Sequence, residues 1–353
     1  MIRVMIVDDS GVYRMLLTKA LQECANIELV GTASDGDEAI KKVDELRPDV
    51  ITLDMNMPRM NGMETLAVLA VKYPSVQVVI VTSETRNDAE RAVSILEAGA
   101  FEMVLKPKAI DASPMETLRH KLYPIIKAAA KRKGGLNTSE PKPIKEWKTA
   151  ATSSQPGFKP DIVLIGSSTG GPAALYDVLC KLEASFPIPV LVVQHMPKLF
   201  VESLATRLNK DIPLPCVVAE ENTELKAGHI YFAPGDIHSD VVRTEGGKLT
   251  IHFNDGEPEH YCKPAVDTTL RSLESLADTV KTMVVILTGM GKDGAMGAKL
   301  LSEQGARVIA QDEESSVVWG MPGETVRLGA AHQILPLDKI GSAITQQVGF
   351  RRR

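Results

Sequence analysis

Three residues far apart in the chain have the types that acyl-transfer chemistry needs. Ser168 lies in "VLIGSSTGG" (163–171), where an apolar run breaks into a Gly/Ser turn and Pro172 opens a helical pattern. Such a turn has three possible uses. It can cradle a phosphate on a helix N-terminus, it can be a plain turn, or it can present a nucleophile, because Gly166–Gly170 fits G-x-S-x-G centred on Ser168. No Lys-Ser/Thr follows the glycines and G-x-G-x-x-G is absent, which excludes a Walker-type loop. A nucleophilic serine needs a base, and the base an orienting acid. His195 follows the apolar run "PVLVVQH", and Asp293 sits in "GMGKDG" just past "TMVVILTG". All three follow strand-like runs, so one sheet edge can gather them. Ser167 is the weaker nucleophile because it is not central in the motif. His229, His238, His252 and His260 are rival bases, and Asp236, Asp240 and Asp267 rival acids, but none follows a long apolar run. The glycines of "GMGKDG" can aim backbone N–H groups, such as that of Met290, at a developing oxyanion.

A second group occupies the first 110 residues. Asp8-Asp9, Asp54, Thr82-Ser83 and Lys106-Pro107 each end an apolar run. Three gathered carboxylates repel one another unless a cation bridges them, and a small oxygen-seeking ion such as Mg²⁺ suits them. Lys106 offers a point charge for an anion such as a phosphoryl group on Asp54. Asp8 or Asp9 could instead serve only as a helix N-cap.

The elements that must position these residues are legible as a rhythm. Strand-like runs "IRVMIV", "IELVGTA", "DVITLD", "VQVVIVT" and "FEMVLK" alternate with segments of helical spacing. That alternation predicts βαβ units around a parallel sheet, here one doubly wound, flavodoxin-like domain over residues 1–130. Residues 131–160 are rich in Lys, Pro, Gly and Ser and read as a flexible linker, with Trp147 an exception to that composition. The alternation resumes over 161–350, predicting a second doubly wound α/β domain. Within it, residues 214–262 carry Gly-rich turns and short alternating runs that predict antiparallel hairpins. Ligands of such sheets sit at the carboxyl ends of the strands, where both groups lie.

Bulk composition narrows the classes. The 353 residues are 44% hydrophobic and 24% charged with a net charge of −5. This globular, mildly acidic balance gives no reason to expect nucleic acid or anionic lipid as a partner. The four cysteines (Cys24, Cys180, Cys216 and Cys262) form no C-x-x-C pair, so neither a zinc site nor a disulfide framework is indicated. "MIRVMIVDDS" turns acidic too early for a signal peptide, and no apolar stretch approaches the ~18 residues that span a bilayer. A cytosolic location is expected.

Residues 1–125 resemble the receiver domains of bacterial response regulators, through "VMIVDDS", "ITLDMNMPRMNGME", "VIVTS" and "FEMVLKPK" in order. The resemblance implies Asp54 as phosphoacceptor, Asp8 and Asp9 holding Mg²⁺ beside the backbone carbonyl of Asn56, and Thr82 and Lys106 contacting the phosphoryl oxygens. Met103 stands where receivers often carry a switch aromatic. From Asp161 to about Leu337 the chain resembles the chemotaxis protein-glutamate methylesterases, through "IGSSTGGPAAL", "VVQHMP", "YFAPGD", "KPAVDTTL", "VVILTGMGKDGA" and "GMPGE". This implies Ser168 as nucleophile, His195 as base, Asp293 as orienting acid and Met290 N–H as oxyanion donor. It also implies methylated chemoreceptors as substrate, glutamine deamidation as a side activity and no cofactor at the esterase site. A chemotaxis histidine kinase would be the phosphodonor, with phosphorylation relieving a block that the resting receiver places on the esterase. Cys262 stands where many relatives have histidine, and is expected to tune the site at most. The competing class is a response regulator whose second domain only binds a ligand or partner; no helix-turn-helix pattern or basic patch marks a transcription factor.

Overall fold

The computed structural model describes residues 1–107, 113–132 and 158–349. The expected linker, with Trp147, lies almost wholly outside the described residues. The chain divides into two compact units, 1–144 and 145–353.

In the first unit, five strands alternate with five helices. They are β1 (Ile2–Val7), α1 (Gly11–Gln22), β2 (Ile27–Ala33), α2 (Gly36–Leu46), β3 (Val50–Asp54), α3 (Gly62–Lys72), β4 (Gln77–Thr82), α4 (Arg86–Glu97), β5 (Glu102–Leu105) and α5 (Pro114–Lys131). The strands pair in parallel in the order β2-β1-β3-β4-β5. Every residue of β3 is buried, as expected for a central strand covered by helices on both faces. Local signals set the helix starts. Ser10, rather than Asp8 or Asp9, caps α1 by accepting from the Tyr13 N–H, which leaves both aspartates for other work. A reciprocal capping box between Asn61 and Glu64 opens α3.

The second unit continues with β6 (Ile162–Ser167), α6 (Gly171–Leu179), β7 (Val190–Gln194), α7 (Lys198–Asp211), β8 (Cys216–Val218), β9 (Ile230–Phe232), β10 (His238–Arg243) and β11 (Leu249–Asn254). It closes with α8 (Val266–Glu274), β12 (Thr282–Ile286), α9 (Ala295–Glu303), β13 (Arg307–Gln311), α10 (Met321–Arg327), β14 (Gln333–Leu335) and α11 (Leu337–Val348). Seven strands form one parallel sheet, β14-β13-β12-β6-β7-β9-β8. Among the strands of the described residues only β10 and β11 pair antiparallel, with isolated antiparallel bridges at Glu224–Thr250 and Glu259–Cys262. The expectation of hairpins across 214–262 therefore holds for 238–254 alone. β8 and β9 instead pair in parallel as short members at the β7 side of the main sheet, β9 buried throughout and β8 at the edge with Val217 exposed. A core of Ile162, Leu164, Leu191, Val193, Val266, Leu270, Val284 and Ile286, among others, lies between the sheet, α8 and α9.

Strand β6 is the topological switch. From it the chain runs outward to β7, and later returns on its other side as β12. The carboxyl ends of β7, β6 and β12 therefore stand side by side around a crevice, the usual ligand position in open α/β sheets.

Candidate active site

Ser168 and Ser167 are consecutive but placed oppositely. Ser167, the last residue of β6, is fully buried, and its Oγ donates to Gln194 Oε1 at 2.6 Å. Ser168 lies one residue past the strand, half-buried, with its Oγ free of partners among the described residues. The turn is stitched by backbone: Ser168 N donates to Thr288 O (3.0 Å), and Gly171 N donates to Ser168 O (2.7 Å). Gln194 Nε2 adds bonds to Ser168 O and His195 O. Gly170 completes it at φ +76°, a left-handed conformation that a side chain would strain. Across the crevice, Gly289 passes so close that a Cβ there would lie 2.9 Å from Ser168 Cβ. The next peptide presents the Met290 N–H, which has no acceptor among the described residues.

His195 leaves β7 beside Ser168, its backbone N–H bonded to Ser167 O at 3.1 Å. Its Nε2 lies 2.6 Å from Asp293 Oδ2. Asp293 is itself almost saturated. Its Oδ1 accepts from Asp267 N and Gly294 N (both 2.9 Å), and its Oδ2 accepts from Val266 N at 2.6 Å. Val266 and Asp267 begin α8, so the carboxylate caps that helix and meets the positive end of its dipole. Burial alone would raise the Asp293 pKa, but the His195 ring and the α8 amides outweigh it and hold the carboxyl below its ordinary range. For His195, burial alone would disfavour the charged ring. Asp293 and Cys262 reverse this and push its pKa from 6.5 up to about 10.

Cys262 is nearer the chemistry than the sequence implied. Its Sγ lies 3.3 Å from His195 Nδ1, the ring nitrogen that Asp293 does not use. No local sequence signal announces this contact, since it arises from a tight turn across 259–262. The rival histidines are occupied elsewhere. His238 accepts from Ala265 N and points its Nε2 at Glu257 O, His229 reaches Ala227 O, and His252 lies against Glu221. His260 pairs with Asp267 at 3.0 Å, a second His–Asp couple with no strand-end serine beside it. Of the remaining acids, Asp236 accepts weakly from Lys198 N and Asp240 from Asn254.

In the first unit, Asp8, Asp9 and Asp54 present carboxylate oxygens within 4.8 Å of one another, with Asp8 and Asp54 buried and Asp9 exposed. Lys106 Nζ bridges Asp8 Oδ2 (2.9 Å) and Asp54 Oδ1 (3.0 Å) and stacks over the Tyr13 ring. Burial, with the charge of Asp8, raises the Asp54 pKa against the opposing pull of Lys106. Thr82, the last residue of β4, is buried, and its Oγ has no hydrogen-bond partner among the described residues. The Asn56 side chain is turned away, donating to Asp88 and accepting from Arg91, so only its backbone is left for the pocket.

Together these features define a class: an acidic receiver unit joined to an α/β serine hydrolase. Residues 163–344 match the CheB methylesterase family, and residues 4–113 the response regulator receiver domain. The chain is 39% identical over 359 residues to a protein-glutamate methylesterase/protein-glutamine glutaminase of Bacillus subtilis, with 100% of both chains covered. A protein of the same description from Symbiobacterium thermophilum is 40% identical over 358 residues, covering 99% of this chain and 97% of its relative. The crystal structure of the Thermotoga maritima CheB methylesterase catalytic domain is similar at a TM-score of 0.51 and 41% identity, covering 54% of this chain and 99% of that one. The chain belongs to the CheB methylesterase family and is an ester-hydrolysing enzyme that carries a receiver domain. Among the described residues no helix is long and apolar enough to cross a membrane.

Proposed function

We propose that this enzyme removes methyl groups from glutamyl methyl esters of chemoreceptors in the cytoplasm, and deamidates receptor glutamines at the same site, under phosphorylation of Asp54. The observation that carries the reading is the His195–Asp293 pair at 2.6 Å, set on the sheet edge where Ser168 is half-buried with its hydroxyl unpaired among the described residues. Asp293 accepts only, so Nε2 keeps its proton and Nδ1 is the basic nitrogen of the neutral ring. Ser168 Oγ attacks the ester carbonyl as Nδ1 takes its proton. The Met290 N–H, beside Gly289, receives the oxyanion. His195 returns the proton to the departing methanol, or to ammonia when the substrate is an amide. Water activated by the same nitrogen then releases the glutamate. This route calls on side chains and backbone of the second unit alone.

In the receiver, Asp8, Asp9, Asp54 and the Asn56 carbonyl would hold Mg²⁺, which neutralises charge on an incoming phosphoryl group. Thr82 and Lys106 would bind its oxygens, and a histidine kinase would supply it. We assign the receiver to 1–130, a linker to 131–160 and the esterase to 161–350. The decisive experiment measures methanol released from methylated receptor, with and without a small phosphodonor, alongside labelling by a serine-reactive phosphonate. Labelling of Ser168 and phosphodonor-stimulated methanol release support the reading. An unlabelled Ser168 would return the second unit to a binding role.

A further inference from the structure

His195 has one nitrogen for two claimants. Nε2 is given to Asp293, which leaves Nδ1 as the only acceptor of the neutral ring. That nitrogen lies 3.3 Å from Cys262 Sγ, whereas Ser168 Oγ, which on the esterase reading delivers its proton to it, makes no hydrogen bond among the described residues. We propose that Cys262 is a positioning residue of the esterase, competing with Ser168 for His195 Nδ1, so that acylation starts only from molecules in which the serine holds that nitrogen.

The competitor is built in firmly. Glu259 and Cys262 exchange backbone hydrogen bonds (3.1 and 2.9 Å) around a two-residue turn, with His260 at φ 52° and Tyr261 at φ 63°. Each flank of the turn is clamped: His260 to Asp267 at 3.0 Å, Glu259 to Arg271. Cys262 itself is half-buried, and its neighbour Tyr261 is fully exposed. The thiol therefore reaches the ring from the solvent side of the crevice on a braced loop.

A thiol also differs from a hydroxyl in what it does to its partner. Thiols are acidic enough to pass a proton to an adjacent imidazole, leaving a thiolate beside an imidazolium. One proton moves from Sγ to Nδ1 and no other bond changes. The ring then carries a proton on both nitrogens and has no lone pair for Ser168. Among the described residues, the His195 ring is hydrogen-bonded by Asp293 from the turn after β12 and by Cys262 from the loop before α8, while Ser168 follows the end of the neighbouring β6. Asp267, whose N–H donates to Asp293, is hydrogen-bonded to His260 at 3.0 Å. Cys262 is the one facing group whose removal leaves the Ser168–His195–Asp293 set intact. The direction of the His195 shift agrees, since the sulfur is among the causes that raise it. The other cysteines take no part: Cys24 and Cys216 are buried, and Cys180 Sγ is turned to Asp177 O.

This inference rests on the esterase reading, and its test separates the two. The full-length enzyme, Cys262→Ser and Cys262→Ala are compared by kcat/KM for methanol release between about pH 6 and about pH 10. Both variants are expected to move the acid limb down by about one unit or more, and to gain several-fold in kcat/KM on the acid side. Serine keeps the size of the side chain, so agreement between the two variants separates ionisation from packing. An acid limb at the same pH in all three enzymes overturns the proposal. A second arm needs no change at Cys262: the rate at which iodoacetamide alkylates it should fall at least several-fold in His195→Gln. Equal alkylation rates in wild type and His195→Gln overturn the proposal as well. Phosphonate labelling of Ser168 in the same samples shows whether the esterase reading stands, whatever Cys262 does.

Discussion

Ser167 and Ser168 show how much one residue of register decides. One is sealed under the sheet edge and spends its hydroxyl on Gln194; the other meets the crevice. Ser168→Ala should lower kcat for methanol release by about four to six orders of magnitude. Ser167→Ala should retain activity but cost about 1–3 kcal/mol in denaturant unfolding, because Gln194 Oε1 loses its buried donor. Equal activity loss in both would move the nucleophile. His195 carries a prediction of its own. Its pKa is raised on folding from 6.5 to about 10, so folding stabilises the protonated ring. That stability is fully present below about 6.5 and is lost as pH rises through about 10. Melting temperatures followed across this window should fall less steeply in His195→Gln than in wild type. Parallel slopes would mean that the ring is no more basic folded than unfolded. Asp293 has the opposite sign: its lowered pKa gives stability above the ordinary carboxylate range that is lost in acid.

At the scale of elements, the two sites rest on the same device, strand ends gathered at a switch in strand order. β1 and β3 bring Asp8, Asp9 and Asp54 together; β6, β7 and β12 bring Ser168, His195 and Asp293 together. Asp54→Asn should abolish Mg²⁺-dependent labelling by a small phosphodonor, and persistent labelling would place the acceptor elsewhere. The loop after β12 is the most constrained stretch of the esterase edge. Gly289 lies against Ser168 Cβ and Met321, so Gly289→Ala must push one of them aside. Overpacking of this kind costs about 1–3 kcal/mol, and here the strain falls on the Met321 side chain, on Ser168, or on the Gly289 backbone that leads into Met290. We expect kcat to drop at least tenfold with KM little changed, because the oxyanion contact forms only in the transition state. A change confined to KM would argue against an oxyanion role for this loop.

For the whole molecule, the proposed phosphorylation of Asp54 is expected to control the rate of ester hydrolysis in the second unit. A regulated enzyme should give two results together. Phosphodonor should raise the activity of the full chain, and a fragment from about Pro156 onward should ignore it while running faster than the unphosphorylated full chain. A resting state favoured by only ~1.4 kcal/mol holds roughly nine molecules in ten inactive, so a several-fold effect needs no large energy. A fragment no faster than the resting chain would leave activation, rather than release from inhibition, as the receiver's contribution. Met103 in place of an aromatic on β5 makes Asp54→Asn in the full chain a useful companion, since it should hold the resting rate whatever relay is used.

Sequence alone determined the α/β alternation, because buried parallel strands must be apolar throughout and amphipathic helices must repeat every three to four residues. It also put Ser168, His195 and Asp293 just past strand ends, since G-x-S-x-G, the histidine after "VVQ" and the aspartate among glycines are local patterns. Which short runs of 214–262 joined the sheet was decided only by tertiary packing: three residues of β8 or β9 carry no periodicity that tells a parallel edge from a hairpin. The same is true of Ser10 taking the helix cap from Asp8, and of the α8 amides that saturate Asp293 from 26 and 27 residues away. Cys262 is the sharpest case. In the sequence it is an isolated thiol 67 residues from His195, and only the braced turn that folds it over the crevice sets its sulfur on the imidazole.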